Sequence, residues 1–300
     1  MNFILLSSLF LLAISGPAFL PDDSSPVLTQ ADIEFINQSQ NLWTASLSWA
    51  GQMTVSQAKS LANAQIKPRE FPEAPERLYM KLKAPTSFDS RTQWPGCVHP
   101  ILQQGKCLAS WAFGPTQALS DRLCVASKGQ INIALSPQYL IDCDTFDFGC
   151  RGGYPDQAWN FLKTNGASTL TCLPYTDVDG ACPSTCASGQ ILQLYKTSTV
   201  NTYSGVTAIQ NAISTNGPVE STMTVYQDFV GYTGGIYKHT SGGVVGGASV
   251  RIIGWNNQNG TNYWICANNW GTSWGISGYF WIAFGECGID NQAIGGIPKV

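Results

Sequence analysis

All ten cysteines of this chain fall between Cys97 and Cys287, and the first 96 residues carry none. An even number of cysteines behind a leader that routes a chain to an oxidising compartment favours disulfides over free thiols. The leader reading rests on an apolar run at residues 3–13 followed by Gly16 and Ala18, small residues suited to cleavage, which predicts a signal peptide over residues 1–18. A membrane anchor is the other reading of that run, but it falls short of the roughly 20 apolar residues that span a bilayer. Cys182 and Cys186 by themselves would also suit a metal. With two histidines in the whole chain and no second cysteine pair of that spacing, no zinc site is predicted.

Between leader and cysteines lies a stretch that ends in Pro68, Pro72 and Pro75 and then Lys81-Leu82-Lys83-Ala84-Pro85, a shift in composition that marks a boundary. Thr29 with Asp32 makes a capping box, and Val55, Ala58, Leu61 and Ala62 recur at helical spacing after Thr54, so short helices are predicted. Composition alone would allow a helical module tethered by a linker. A net charge of −3, with 16 basic residues and no basic run, leaves no electrostatic footprint for nucleic acid or an anionic membrane. Asn37-Gln38-Ser39 and Asn259-Gly260-Thr261 match the glycosylation acceptor pattern.

The cysteine-bearing part has two textures. Ala112, Leu119 and Leu123 share one face of a helix beginning near Ser110, and Ala158, Phe161 and Leu162 mark another that stops at Asn165-Gly166. From about Val200 the chain turns to short β-branched and aromatic runs, at residues 244–245, 249–255, 263–267 and 279–284, separated by glycine and asparagine turns. A helical lobe to about residue 195 followed by a strand-rich lobe predicts an α+β arrangement with a cleft between the two.

The stretch Gln104-Gly105-Lys106-Cys107-Leu108-Ala109-Ser110-Trp111-Ala112-Phe113 resembles the C-G-[SA]-C-[WY] signature of papain-type cysteine peptidases. From about residue 87 onward the chain resembles cathepsin B within that family. The likeness is carried by Ser87-Phe88-Asp89-Ser90-Arg91 with Trp94-Pro95, Cys150-Arg151-Gly152-Gly153-Tyr154-Pro155, Asn216-Gly217-Pro218-Val219-Glu220, Asn268-Asn269-Trp270-Gly271 and Cys287-Gly288-Ile289. It implies a papain-like two-lobe fold over residues 84–300, with a helical lobe, a β-barrel-like lobe and an inter-lobe cleft. Residues 19–83 then become a cathepsin B-type propeptide.

The resemblance assigns roles residue by residue. Ser110 stands at the nucleophile, where the family has cysteine, and Ala248, in Gly246-Gly247-Ala248-Ser249, stands where the family has the histidine base. Gln104 matches the side chain that donates to the oxyanion, with the Ser110 amide as second donor. Asn268 matches the residue that orients the histidine, and Trp270 the indole that shields that pair. Gly152 and Gly153 match the wall that pairs with substrate backbone, and Gly247, beside Ala248, is placed with the substrate-binding residues. The implied disulfides are Cys97 to Cys124, Cys107 to Cys150, Cys143 to Cys182 and Cys172 to Cys186; Cys266 and Cys287 remain open, with a buried free thiol as the default.

Other departures cluster around the same positions. Leu108 replaces a family glycine beside the nucleophile and should crowd the cleft. Pro115 falls inside the helix that begins at Ser110, where a kink is predicted. Only six residues separate Tyr175 from Cys182, so the occluding loop of cathepsin B is absent, and Gln292 stands at an acidic position of the main specificity pocket. His99 and His239 read as structural or surface histidines, and Ser110 itself reads as a helix-start residue whose hydroxyl caps a free amide. No cofactor is predicted. The implied partners are peptides or protein ligands in the cleft and the chain's own propeptide. The implied compartment is the secretory pathway, ending outside the cell or in a lysosome or vacuole. The leading reading is an inactive peptidase homologue that binds in its cleft; a weak hydrolase using Ser110, and a disulfide-stabilised structural or storage protein, are the alternatives.

Overall fold

The computed structural model describes residues 23–65, 71–75 and 84–300. The predicted leader, and the boundary residues Pro68 and Lys81-Leu82-Lys83, lie outside them.

The described N-terminal segment runs α1 (Gln30–Ser39), β1 (Trp43–Ala45), α2 (Leu47–Ala50) and α3 (Val55–Leu61). Two capping boxes start its longer helices: the Thr29 hydroxyl with Asp32 for α1, and the Thr54 hydroxyl with Gln57 for α3. Each supplies partners for amides that a helix start leaves open. The buried face of α3 is Val55, Ala58 and Leu61. The strand β1 was not foreseen; its three residues carry too little pattern to read.

After β2 (Phe88–Asp89) and α4 (Ser90–Gln93) comes the helical lobe, built on α5 (Ser110–Ala126), α6 (Pro137–Cys143) and α7 (Pro155–Thr164). Residues 110–124 of α5 are all buried, so this helix is the core of its lobe rather than an amphipathic cover. Pro115 does not interrupt it. The Thr116 hydroxyl, next to Pro115, shares its proton between the Ala112 and Phe113 carbonyls at 2.7 and 3.2 Å, the usual back-bonding of a helical threonine. Cys97–Cys124, Cys107–Cys150, Cys143–Cys182 and Cys172–Cys186 are bonded, the four pairs the resemblance implies; Cys266 is a buried free thiol and Cys287 a half-buried one.

The strand lobe comprises β3 (Thr197–Tyr203), α8 (Gly205–Asn216), β4 (Val219–Tyr226), α9 (Gln227–Val230), β5 (Tyr232–Tyr237), β6 (Val244–Gln258), β7 (Thr261–Ala267), β8 (Tyr279–Ala283) and β9 (Ala293–Pro298). The sheet order is β1-β5-β8-β7-β6-β4-β9-β3, with β2 also paired to β6, and β5 with β8 is a parallel pair. Two of the predicted strands, at 244–245 and 249–255, are one: β6 runs 15 residues straight through Gly246-Gly247. Those glycines are not a turn but a place of close approach, since a Cβ at Gly246 would stand 1.9 Å from the Ala62 carbonyl oxygen. Trp255, Trp264, Trp270, Trp274, Phe229 and Phe280 anchor the core of this lobe; Trp111, Phe113, Leu119 and Trp159 anchor that of the helical lobe.

The lobes meet where α5 crosses β6. There Asp121 and Arg251, both fully buried, pair at 2.5 Å, and Asp121 also accepts from the backbone N–H of His99 at 2.9 Å. A buried pair of this kind adds little net stability, but removing one partner strands the other charge at a cost of about 3–5 kcal/mol. Asp121→Ala is therefore expected to lower the denaturation midpoint sharply. Asp121→Leu combined with Arg251→Met should recover most of the loss, measured by urea unfolding of the full chain.

Candidate active site

Leu108 and Ala109 carry the chain out of the Cys107–Cys150 disulfide and into α5, so the first residue of the helix stands at the lobe junction. The loop before it is held from outside: Asp177 accepts from the backbone N–H groups of Lys106 and Cys107 at 3.1 and 2.7 Å, and the Tyr175 hydroxyl donates to the Gln104 carbonyl at 2.5 Å. Ser110 is 1 % exposed. Its hydroxyl does not cap its own helix, as the sequence suggested. The N-cap is Ala109, without a side-chain bond, and the Ser110 Oγ accepts instead from the Ser249 N–H across the junction at 3.4 Å. Ala248 is the neighbouring residue on β6, also buried and paired in register with Met223.

Asn268 and Asn269 complete this corner. The Asn269 side chain donates to the Ser249 carbonyl at 2.8 Å, while the Asn268 Oδ1 accepts from the Asn269 N–H at 2.9 Å. The Asn268 Nδ2 is buried with no partner among the described residues. Gln104, fully buried, is tied to the same corner by its own N–H, which donates to the Asn269 carbonyl at 2.9 Å.

The N-terminal segment passes between the two lobes. The Ala64 N–H donates to the Gly247 carbonyl at 2.8 Å, and the Gln65 N–H to the Gly153 carbonyl at 2.9 Å, each within a parallel bridge. Gly152 adopts φ +108°, and a Cβ there would lie 2.9 Å from the Asn63 carbonyl oxygen. One wall therefore needs glycine for both conformation and clearance. The Leu61 carbonyl receives two donors, Trp270 Nε1 at 3.3 Å and Gln104 Nε2 at 3.5 Å. Trp49 lies flat on Trp270 at 5.6 Å.

The structure thus brings Ser110, Ala248, Asn268, Gln104, Trp270, Gly152, Gly153 and Gly247 into one region between the lobes. Leu108 is half-buried beside Ser110, its N–H donating to the Cys150 carbonyl at 3.1 Å. Gln292 is half-buried just before β9 and lines neither cavity along the segment, one of about 420 Å³ bounded by Lys59, Gln65, Thr224 and Val244, the other of about 310 Å³ bounded by Trp49, Met53, Gly105 and Lys106. The histidines go elsewhere. His99 Nδ1 faces Asp121 at 2.9 Å, and His239 Nδ1 faces Asp228 at 3.2 Å while its ring stacks on Tyr226. Burial pushes the thiols of Cys266 and Cys287 up, so neither free cysteine supplies a thiolate. No group of three or more His, Cys, Asp or Glu side chains among the described residues is arranged to hold a metal ion, and no helix among them is long and apolar enough to cross a membrane.

The model of the papain family cysteine proteases matches residues 84–297, and the chain belongs to that family. Within it the likeness is to cathepsin B. The chain is 36% identical to Cathepsin B-like CP3 of Giardia intestinalis over 96% of its own length and 98% of that protein. To Cathepsin B-like cysteine proteinase 4 of Caenorhabditis elegans it is 34% identical, with both chains covered completely. Among solved structures, proCathepsin B S9 from Trypanosoma congolense superposes with a TM-score of 0.87 at 33% identity, covering 92% of this chain and all of that one. The digestive procathepsin L2 of Tenebrio molitor gives 0.75 at 28% identity, with 89% and 87% covered. Both are proforms, and the segment between the lobes accords with a propeptide as a partner of the cleft.

Sequence reasoning missed the Leu61 carbonyl, the Trp49 stack, the clamp from Asp177, and a carboxyl under the wall. Asp147 Oδ1 accepts from the Tyr154 N–H at 2.7 Å and lies 2.8 Å from where a Gly153 Cβ would be. Burial, with Asp144 and Asp156 nearby, pushes Asp147 up to about 8. The Asp-x-x-Asp spacing of 144 and 147 ahead of the glycines was the available signal. A carboxyl held this high binds its proton in the folded chain but not in the unfolded one once pH exceeds about 4. The stability it contributes is full below that point and is lost as pH rises through about 8. Asp147→Asn keeps the acceptor for Tyr154 and removes the charge. It is expected to stabilise the protein at pH 8 by on the order of 1–3 kcal/mol and to leave it nearly unchanged at pH 4, measured by urea titrations at the two values.

Proposed function

We propose that this chain is a pseudopeptidase: a cathepsin B-like fold that holds peptide backbone between its lobes without cleaving it. The observation that carries the reading is the Ser110 hydroxyl, which is bonded by the Ser249 backbone N–H at 3.4 Å and has only the methyl group of Ala248 at the position the family resemblance gives to the base. An alcohol has essentially no ionised fraction near neutral pH and attacks only with a positioned base. Where a triad enzyme loses its nucleophile and base together, turnover falls by roughly six orders of magnitude. The unpartnered Nδ2 of Asn268 supports the same reading, as a corner from which a ring has been removed.

Retention of binding is supported by the backbone bonds from Ala64 and Gln65 to the carbonyls of Gly247 and Gly153, and by the two donors on the Leu61 carbonyl. Gln104 and Trp270 are thereby assigned to a peptide carbonyl and Gly152, Gly153 and Gly247 to its flanking backbone, while Leu108 and Gln292 keep a part in side-chain selection on the family resemblance alone. In this reading residues 1–18 are a signal peptide, 19–83 a propeptide and 84–300 the domain it covers, in a protein secreted or delivered to a lysosome or vacuole. With no catalytic pair to cut it in cis, the propeptide stays attached unless another peptidase removes it.

Repair of the site tests the proposal. Ser110→Cys alone is expected to stay inert, because the thiol lacks the imidazole that lowers its pKa and protonates the leaving amine. Ser110→Cys with Ala248→His should regain peptide cleavage and labelling by a thiol-directed electrophile. Adding Leu108→Gly should raise kcat/KM at least about tenfold, or 1.4 kcal/mol of transition-state stabilisation. Ready cleavage by the unaltered chain, or by Ser110→Cys alone, would mean that another base serves this cleft. Failure of the domain freed of its propeptide to bind peptides at all would favour a structural role.

A further inference from the structure

The two glycosylation acceptor patterns are treated very differently by the fold. Asn37 lies in the last turn of α1, and its amide makes two bonds to one residue of β1: Nδ2 donates to the Ala45 carbonyl at 3.0 Å and Oδ1 accepts from the Ala45 N–H at 2.9 Å. Bonding both groups of one residue uses the N–H that lies on the same side of the amide as Oδ1. That position is the one a carbon substituent takes in a planar secondary amide, for the reason that makes peptide bonds trans. A sugar on Asn37 would therefore displace the bond that ties α1 to β1.

Asn259 is the reverse case. Asn259 and Gly260 are the two-residue turn joining β6 to β7, with Gln258 paired to Thr261, and both turn residues have positive φ, +51° and +83°. Asn-Gly is the pair that such a hairpin turn favours. Asn259 is exposed, and neither its amide nor the Thr261 hydroxyl has a hydrogen-bond partner among the described residues. Ten residues of β6 separate it from Ala248, up to roughly 35 Å of strand, so a bulky group at the tip stays clear of the region between the lobes.

We infer that Asn259 carries an N-linked oligosaccharide and Asn37 does not. The donor is an oligosaccharide on a lipid pyrophosphate. The Asn259 Nδ2 forms a bond to the anomeric carbon, the bond from that carbon to the pyrophosphate oxygen breaks with its electron pair leaving on the lipid pyrophosphate, and the amide gives up one proton. Transfer precedes folding, so the fold acts as the filter: a chain modified at Asn37 loses the docking of β1, while one modified at Asn259 loses nothing.

The test is to express the full chain through the secretory route of eukaryotic cells, release N-glycans enzymatically in ¹⁸O-water, and map both asparagines by mass spectrometry. The expected result is ¹⁸O-labelled aspartate at position 259 in the majority of secreted molecules, absent from a parallel incubation in ¹⁸O-water without the glycosidase, and unlabelled Asn37. Asn259→Gln should remove the only glycan mobility step, and Asn37→Gln should leave it in place. An unmodified Asn259 in the secreted protein, equal labelling at Asn37, or aspartate at 259 without ¹⁸O, which marks spontaneous deamidation of the Asn-Gly pair, would each overturn the inference. Peptide binding in the cleft is measured separately and is indifferent to the outcome.

Discussion

Ser249 is the residue on which the two lobes are registered. Its N–H reaches the Ser110 hydroxyl, its hydroxyl donates to the buried Glu220 at 2.8 Å, and its carbonyl accepts from Asn269. A helix, two strands and the Asn268 loop are thus tied through one backbone unit. The approach is possible because α5 has glycine at 114, where a Cβ would fall 2.1 Å from the Ser249 Oγ. Buried polar groups are costly unless paired, so a shift of α5 along β6 would unpair several at once. The positions of Ser110, Ala248 and Asn268 follow from that registration, and Asp121 with Arg251 extends the same seam toward His99.

This registration is indifferent to catalysis. It uses the Ser110 side chain as a plain acceptor and leaves the methyl of Ala248 within a packed wall of the strand lobe. Apart from the Ser249 N–H bond to the Ser110 hydroxyl, the bonds that define the corner come from Glu220 and from the Asn269 amide and backbone, none of which involves residue 248. The binding features and the reacting groups are therefore separable in this fold.

Much of this was legible in the sequence, for stated reasons. The capping box at Thr29, the helical spacing after Thr54 and the stop at Asn165-Gly166 are local signals and appear where the pattern put them. The site motifs come together because each was recognised as a block. What could not be read was long-range. Gly246-Gly247 looked like a turn, but both pair with β4, and the missing side chain at 246 admits the Ala62 carbonyl instead. The partner of the Ser110 hydroxyl lies 139 residues away and was misassigned to the helix start. Asp177 acts through the backbone amides of Lys106 and Cys107, which carry no sequence signature, and the only signal for Asp147 was its spacing from Asp144.

The N-terminal segment also completes the sheet. Trp43, Thr44 and Ala45 pair with Tyr232, Gly234 and Gly235 on β5, and the Trp43 indole is buried against Tyr237 and donates to the Lys238 carbonyl. β5 is therefore an interior strand only while the segment is in place. Stripped of it, the body would present an open row of amides and carbonyls beside an empty indole socket, the kind of margin on which chains add strands and aggregate. The segment thus does two things at once with separate stretches: residues 43–45 close the edge of the sheet, and residues 61–65 lie between the lobes.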